Sequence, residues 1–200
     1  MSDVCDEVAK VDPRLEPDTV ITYIDIFGVD GERGLISTTQ ELNGRDAPSR
    51  ARQLVASGDV IVSTVRTYMR KSALVPAELD GAVGSTGFSV LRPTSAIDPR
   101  LLFHAVRHPG FVERLSSQQV GSSYPAVRDR DVREMPLVLP PLAEQGRIVA
   151  AIDEAFSKLD VGEIGLRHIR QLLKRMREAV LAAAVSGRLV PQDPTDTPAS

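Results

Sequence analysis

Two polar segments of the sequence carry the residue types that bind DNA. The first, named here the basic loop (residues 66–71), contains Arg66, Tyr68, Arg70 and Lys71 and follows an apolar run. Its cations can neutralise phosphates or bind a guanine edge, and its aromatic ring can stack on a base. We therefore predict that these four residues contact DNA.

The second segment, named the polar loop (residues 118–128), supplies amides, hydroxyls, a phenol and a cation. These are the groups that read base edges in the grooves of DNA. Its glycine and its proline predict a bent chain rather than a regular element. The candidate DNA-binding residues in it are Gln118, Ser122, Ser123, Tyr124 and Arg128.

A third basic cluster consists of Arg45, Arg50 and Arg52. Any one of these three segments is, by itself, more often a solvated surface than a binding site. The DNA-binding hypothesis depends on their occurring together on a chain that carries no recognisable enzyme site.

The sequence offers no catalytic constellation and no cofactor or metal motif. The glycines of residues 81–87 follow a G-x-x-G-x-x-G spacing that matches neither a P-loop nor a dinucleotide fingerprint, so a turn into the next strand is expected. His104 and His108 stand four residues apart, but neither a neighbouring Glu nor a third ligand completes a zinc site. We therefore predict a non-catalytic protein that uses no cofactor.

Charge is distributed unevenly along the 200 residues. The net charge of −3 excludes a uniformly basic protein that coats nucleic acid. Residues 1–46 carry 11 acids and 4 bases, whereas residues 47–78 carry 5 bases and 2 acids. The overall balance therefore conceals a locally basic stretch.

The order of expected strands and helices predicts an α+β globule over residues 1–140, with mixed strands and short helices. This globule would position the two loops. Strands are expected at residues 20–27, 60–65, 74–75 and 88–91, where β-branched and aromatic residues cluster. Helical spacing is present in residues 99–108 and in residues 111–119. A final strand is expected at residues 132–139, with Pro136 at an edge or bulge.

Residues 141–187 predict one long helix, followed by a tail at residues 188–200. Proline is absent between Pro141 and Pro191, and Gly187 is a stop signal. An apolar 3,4 repeat, named the seam, continues for about four heptads, which is typical of a coiled coil. The predicted seam positions are Ile152, Leu159, Leu166, Ile169, Leu173, Met176 and Val180.

The charges on this helix predict the direction of its partner. Residues 143–163 hold 5 acids and 2 bases, whereas residues 167–188 hold 6 bases and 1 acid. An antiparallel copy would set acids against bases, and a parallel copy would align like charges. The alternatives are that the helix folds back on its own domain, or that Gly162 and Gly165 break it.

The cellular location of the protein is predicted from features that the sequence lacks. The single cysteine, Cys5, excludes an internal disulfide, and the first residues lack the basic start and apolar run of a secretory signal. The sequence contains no run of about 18 apolar residues, so no transmembrane helix is predicted. We expect a cytoplasmic protein without a membrane partner.

Several short motifs resemble the specificity (S) subunits of type I restriction-modification enzymes. Residues 139–145 (Leu-Pro-Pro-Leu-Ala-Glu-Gln), with Arg-Ile-Val at 147–149 and the long helix, resemble the point where a target-recognition domain ends and the family's helix begins. Weaker similarities lie at residues 58–61, 85–88, 90–93, 121–125, 131–132 and 136–140, and residues 184–192 resemble the helix exit.

The resemblance implies a subunit that binds double-stranded DNA and holds methyltransferase (M) and restriction (R) subunits while performing no chemistry itself. Members of the family carry two recognition domains, each reading half of a split target, and two antiparallel helices. One domain and one helix imply a half-length form that pairs with itself or with another half. The alternatives are a coiled-coil adaptor, or an inactive truncated remnant without sequence-specific DNA binding.

Overall fold

A computed structural model describes residues 1–121, residues 125–190 and residue 195. The chain divides into two compact units, Met1–Val149 and Ala150–Ser200. The first unit holds ten strands, several short 3-10 turns and three short helices, and the second continues a long helix that begins at Leu142. The predicted α+β class with one long helix is confirmed.

The ten strands lie in sequence order between residues 5 and 93. They are β1 (Cys5–Asp6), β2 (Val20–Ile24), β3 (Val29–Asp30), β4 (Leu35–Ile36), β5 (Gln40–Asn43), β6 (Ala51–Leu54), β7 (Val60–Ser63), β8 (Ser72–Leu74), β9 (Val83–Ser85) and β10 (Phe88–Pro93). The helices are α1 (Pro99–Arg107), α2 (Pro109–Ser116), α3 (Asp129–Arg133) and α4 (Leu142–Val185).

Two four-stranded sheets form the globular unit. The first has the order β1-β10-β7-β8 and is antiparallel throughout, whereas the second has the order β5-β2-β9-β6 and joins β2 to β9 in parallel. The apolar run Val60–Ser63 is buried along its whole length because it is a central strand. The largest core cluster packs β7 and β10 against residues of α1, α2 and α3.

A bidentate ion pair explains two of the motifs seen in the sequence. Arg92 donates to both carboxylate oxygens of Asp59, from Nε at 2.9 Å and from Nη2 at 2.8 Å. The same guanidinium donates to the carbonyl of Leu54, and Asp59, which is buried, also accepts from the Ala56 amide. Residues 58–61 and 90–93 therefore hold the two sheets together rather than contacting a ligand.

The first turns of α4 belong to the globular unit because of one buried amide. Gln145 accepts a hydrogen bond from the Asp98 amide at 2.8 Å and donates to the carbonyls of Ala96 at 3.0 Å and Pro140 at 2.8 Å. Its side chain is buried, and so is that of Val149 one turn later. The last residue of the motif at 139–145 is thus the one that fixes the start of the helix.

Replacing Gln145 by leucine is expected to lower the free energy of unfolding of the globular unit by about 2 kcal/mol, because a buried backbone amide and two carbonyls lose their partner. Chemical denaturation of the full chain measures the loss. Glu144→Ala is the matched control, since Glu144 lies exposed in the same helical turn. An equal loss in both variants would contradict the role assigned to Gln145.

Two sequence predictions of local structure are wrong. The strand expected at residues 132–139 is instead the helix α3 followed by extended chain without a ladder partner. Asp131 caps this helix by accepting from the Arg128 amide, which favours helix over strand. The turn expected at residues 81–87 is wrong only in part, because Thr86 and Gly87 do form a turn that leads into the strand at Phe88. Residues 83–85 between them and Gly81 are instead the buried strand β9, whose small side chains fit between β2 and β6.

The second unit consists mainly of the remainder of α4. The seam residues from Leu159 to Val180 are exposed in the single chain, and Ile152 is half-buried. The helix ends as predicted, because Gly187 has a φ of 68° and the Arg188 amide returns to the carbonyl of Ala183. None of the described helices is both long enough and apolar enough to cross a membrane.

Candidate nucleic-acid interface

The basic loop is a strained turn at the surface. Arg66 and Arg70 have φ values of 49° and 52° and flank a 3-10 turn, Thr67–Met69. A left-handed conformation costs a residue other than glycine about 1 to 2 kcal/mol, so neighbouring contacts must hold the turn in place. The strain presents Tyr68, Met69 and Arg70 to solvent, and Tyr68 is 57% exposed.

The basic loop and the polar loop lie side by side. The Arg66 amide donates to the carbonyl of Pro125, and the Val127 amide donates to that of Thr64, both at 2.8 Å. Within the polar loop, Val120 and Ala126 exchange backbone hydrogen bonds, and Gln119 donates to the carbonyl of Pro125 at 3.3 Å. The structure thus brings together two segments that lie about 50 residues apart in the sequence.

A third segment, the β3–β4 hairpin with its preceding turn, completes this surface and was missed in the sequence. Gly31 packs against the carbonyl of Met69 so closely that no side chain would fit there. Phe27 is 79% exposed beside the ammonium of Lys71, and Arg33 is exposed at the hairpin tip. The available signal was the glycine-containing turn at residues 31–34, but the two-residue strands on either side of it are too short to show strand periodicity.

Lys71 joins the loops rather than pointing at a ligand. Its ammonium donates to the carbonyls of Ile26 at 3.0 Å and Val29 at 3.1 Å. These bonds hold the hairpin turn against the basic loop. The sequence placed Lys71 among the DNA contacts, whereas its position is that of a residue that orients its neighbours.

Lys71→Met is expected to destabilise the globular unit by about 1 to 2 kcal/mol, because two partly buried carbonyls lose a charged donor. Thermal or denaturant unfolding checks this loss. Arg33→Met removes a cation of the same surface whose side chain is exposed and is expected to leave stability unchanged. A stable Lys71→Met protein with weakened DNA binding would identify Lys71 as a direct contact instead.

The remaining predicted residues of the polar loop have different surroundings. Arg128 donates to Asp131 from Nε at 3.2 Å and from Nη2 at 3.0 Å, and this hydrogen bonding lowers the pKa of the Asp131 carboxyl. Gln118 is exposed, with its amide 3.7 Å from the sulfur of Met135. Ser122, Ser123 and Tyr124 lie outside the described residues.

The third basic cluster is neutralised by acids of the N-terminal segment. Arg45 pairs with Asp18, Arg52 pairs with Asp12, and Arg50 lies 3.5 Å from Asp25. In the folded chain, the cluster is therefore a set of ion pairs rather than a run of unpaired cations.

Positive charge is instead concentrated around Arg70. Burial lowers the pKa of the Arg107 guanidinium, and the charge of Arg70 lowers it further. Arg107 donates to the carbonyl of Glu32 at 2.7 Å and lies over the ring of Phe103. Cations from the basic loop and α1 thus meet beside the hairpin, where an anionic backbone would be attracted.

No metal-binding group is present among the described residues. His108 instead caps α2, because its Nδ1 accepts from the Gly110 amide at 3.1 Å.

Comparison with solved structures decides the family. The chain is similar to the HsdS subunit of Thermoanaerobacter tengcongensis, with a TM-score of 0.82 and 37% identity over 98% of this chain. The chain belongs to the type I specificity-subunit family. A second solved structure, titled as the basis of complex assembly and conformational transition of the type I R-M system, gives a TM-score of 0.76 and 36% identity over the same share.

Curated relatives agree with the type I specificity-subunit family, although no family model matches the chain. The StySPI specificity subunit of Salmonella potsdam is 34% identical over 140 residues, which are 68% of this chain and 30% of the relative. The EcoKI specificity subunit of Escherichia coli K12 is 31% identical over the same shares. These names are those of specificity subunits, in agreement with the predicted non-catalytic role.

The chain spans about half the length of the solved specificity subunits and about a third of most curated relatives it matches. Within the globular unit, the matched length includes the strained basic loop, the hairpin and the helix start fixed by Gln145.

Proposed function

We propose that the chain is a DNA-recognition subunit of a type I restriction-modification system that reads one half of a split target. The observation that carries this proposal is the contact between the basic loop and the polar loop, which join cations, an exposed ring and hydrogen-bonding groups in one surface. Phosphate contacts position such a surface, and contacts to base edges give it sequence preference.

The turn before the β3–β4 hairpin, Ile26–Gly28, extends this surface with an apolar side chain. Tyr68 and Met69 are exposed directly before Arg70, and Phe27 is exposed beside Lys71. Apolar side chains among cations can contact thymine methyl groups or unstack a base step. Because monomeric surfaces seldom expose such a group of large apolar side chains, a ligand with stackable bases is a better match than a simple polyanion.

Dimerisation is proposed to occur through the seam in antiparallel orientation. The register that sets Leu166 opposite Ile169 also sets Ile152 opposite Ala183 and overlaps residues 150–185 of the two helices. Apolar residues then meet along the seam except where Gly162 lies opposite Leu173. The same register sets the acidic first half of each helix against the basic second half of the other. Two recognition domains would then be related by a two-fold axis, which implies a palindromic split target.

Recruitment of M and R subunits is proposed to use the other face of α4. Ile164 is exposed there, opposite the seam in a helix of 3.6 residues per turn, and Val161 and Leu172 are exposed on the flank between that face and the seam. A helix that pairs with its copy through one apolar row still presents this second, shorter row. The chain would therefore act as a platform for subunits that perform the chemistry.

Salt-dependent DNA binding tests this function. The full chain, mixed with its cognate M subunit, is expected to select a common sequence from a random duplex pool, with an affinity that falls steeply as salt rises. A non-binding adaptor or inactive remnant would select no sequence at any salt concentration, and that result would overturn the proposal.

A further inference from the structure

A cavity of about 490 Å³ lies in the globular unit, lined by residues 11–13, 15–16, 19–22, 54 and 78–83. Its wall includes two large apolar side chains that solvent reaches freely, since Leu15 is 81% exposed and Val20 is 63% exposed. Val20 begins β2, whereas the hairpin turn of the candidate DNA surface follows the end of β2. The cavity and the DNA surface are thus at opposite ends of this strand.

The polar part of the wall is acidic. Asp12, Glu16, Glu78 and Asp80 line the cavity, and no lysine or arginine is among its lining residues. Arg52 pairs with Asp12 from outside, which leaves the other three carboxylates without a basic partner among the described residues. An apolar wall with an acidic rim fits a segment that carries apolar side chains and a cation.

The acidic rim lies near the start of α4 within the same unit. Asp80 accepts from the Ser57 amide at 2.8 Å, and a β-carbon added to Gly58 would lie 3.9 Å from the Pro99 ring. The backbone amide of Asp98, the residue before Pro99, donates to the side-chain oxygen of Gln145. Residues 57–58 and 98–99 therefore lie between the rim and the first helical turns.

We propose that the cavity receives residues 188–190 (Arg-Leu-Val) of a second copy of the chain, an inference that rests on the proposed antiparallel dimer. In the proposed register, residue 188 of one copy lies level with residue 147 of the other, beside the first turns of that helix. Three extended residues continue the chain from there by about 10 Å.

The chemistry of this segment matches the cavity. Leu189 and Val190 are exposed in the single chain, and the guanidinium of Arg188 binds only the Ser186 hydroxyl among its described hydrogen bonds. The apolar side chains would cover Leu15 and Val20, and Arg188 would meet Glu78 or Asp80. Each copy would thus hold the other at both ends of the helix pair.

A charge exchange tests the contact. Glu78→Lys and Arg188→Glu are each expected to raise the dimer dissociation constant about five- to tenfold at low salt, and the double variant is expected to restore it. Sedimentation equilibrium measures the constants, and the differences should shrink in 1 M salt. Glu113→Lys, which reverses an exposed carboxylate on α2 outside the residues that line the cavity, is the matched control and should have no effect.

Cysteine crosslinking supplies the second measurement. A chain with Leu15→Cys and Val190→Cys is expected to form a two-chain disulfide under mild oxidation, while the native Cys5 stays buried. A one-chain product, which would mean that the segment reaches its own cavity, overturns the proposal. So does a dimer that the charge exchange leaves unchanged. A chain that stays monomeric at every concentration overturns the antiparallel dimer as well, and so distinguishes the two failures.

Discussion

Replacing Leu166 by aspartate is expected to leave the chain monomeric at concentrations where the unaltered protein is a dimer. In the proposed register, Leu166 faces Ile169 of the partner in the central layers of the seam, and it is 60% exposed in the single chain. Burying a leucine contributes about 2 kcal/mol, and the change occurs twice in a symmetric dimer. The dissociation constant should therefore rise about a thousandfold.

Sedimentation velocity measures this change, and Gln171→Asp is the matched control. Gln171 lies on the face opposite the seam. Gln171→Asp introduces the same charge into the same helix, so this variant should leave the dimer intact. The folded globular unit should be unaffected in both variants, because its core ends at Val149. A Leu166→Asp chain that still sediments as a dimer would contradict the seam as the contact between copies.

Arg70→Gly is expected to reduce DNA affinity by about five- to 150-fold, a range set by the roughly 1 to 3 kcal/mol of a specific arginine contact. The same change should not lower the unfolding temperature, because glycine adopts the left-handed conformation of this position without strain. Binding and stability should therefore respond separately, which a merely structural residue would not produce.

Binding isotherms at several salt concentrations distinguish two kinds of contact. A uniform loss over all sequences with a smaller salt slope would identify Arg70 as a phosphate contact, and a relaxed sequence preference would identify it as a base contact. Arg45→Ala is the matched control, since Arg45 is already paired with Asp18. Equal losses in both variants would contradict the assignment of the surface to the basic loop.

The sequence predicted the features that depend on local pattern. The long helix, its end at Gly187 and the strand at Val60–Ser63 follow from periodicity and stop signals, and each is present. The two loops were identified by composition alone, and their side-by-side position came from the structure. Their contact depends on backbone hydrogen bonds, such as that from Arg66 to Pro125, which side-chain chemistry does not encode.

The predictions that failed depend on contacts between residues that lie far apart in the sequence. Arg45, Arg50 and Arg52 seemed a free basic cluster because the acids that neutralise them lie 25 to 40 residues earlier. The sequence does not predict β9, because glycine and serine favour turns. In the sheet, β9 is a buried strand that pairs with residues 51, 53 and 54 of β6. The motif at residues 139–145 was recognised by resemblance, but only the burial of Gln145 explains its chemistry.

The bases methylated when the full chain acts with its cognate M subunit test the central proposal most directly. Sequencing modified bases in treated DNA should give a motif of two identical half-sites, two-fold related and separated by an unspecified spacer. An asymmetric motif, or methylation without any common sequence, would contradict a dimer of this chain in which each copy reads one half of the target.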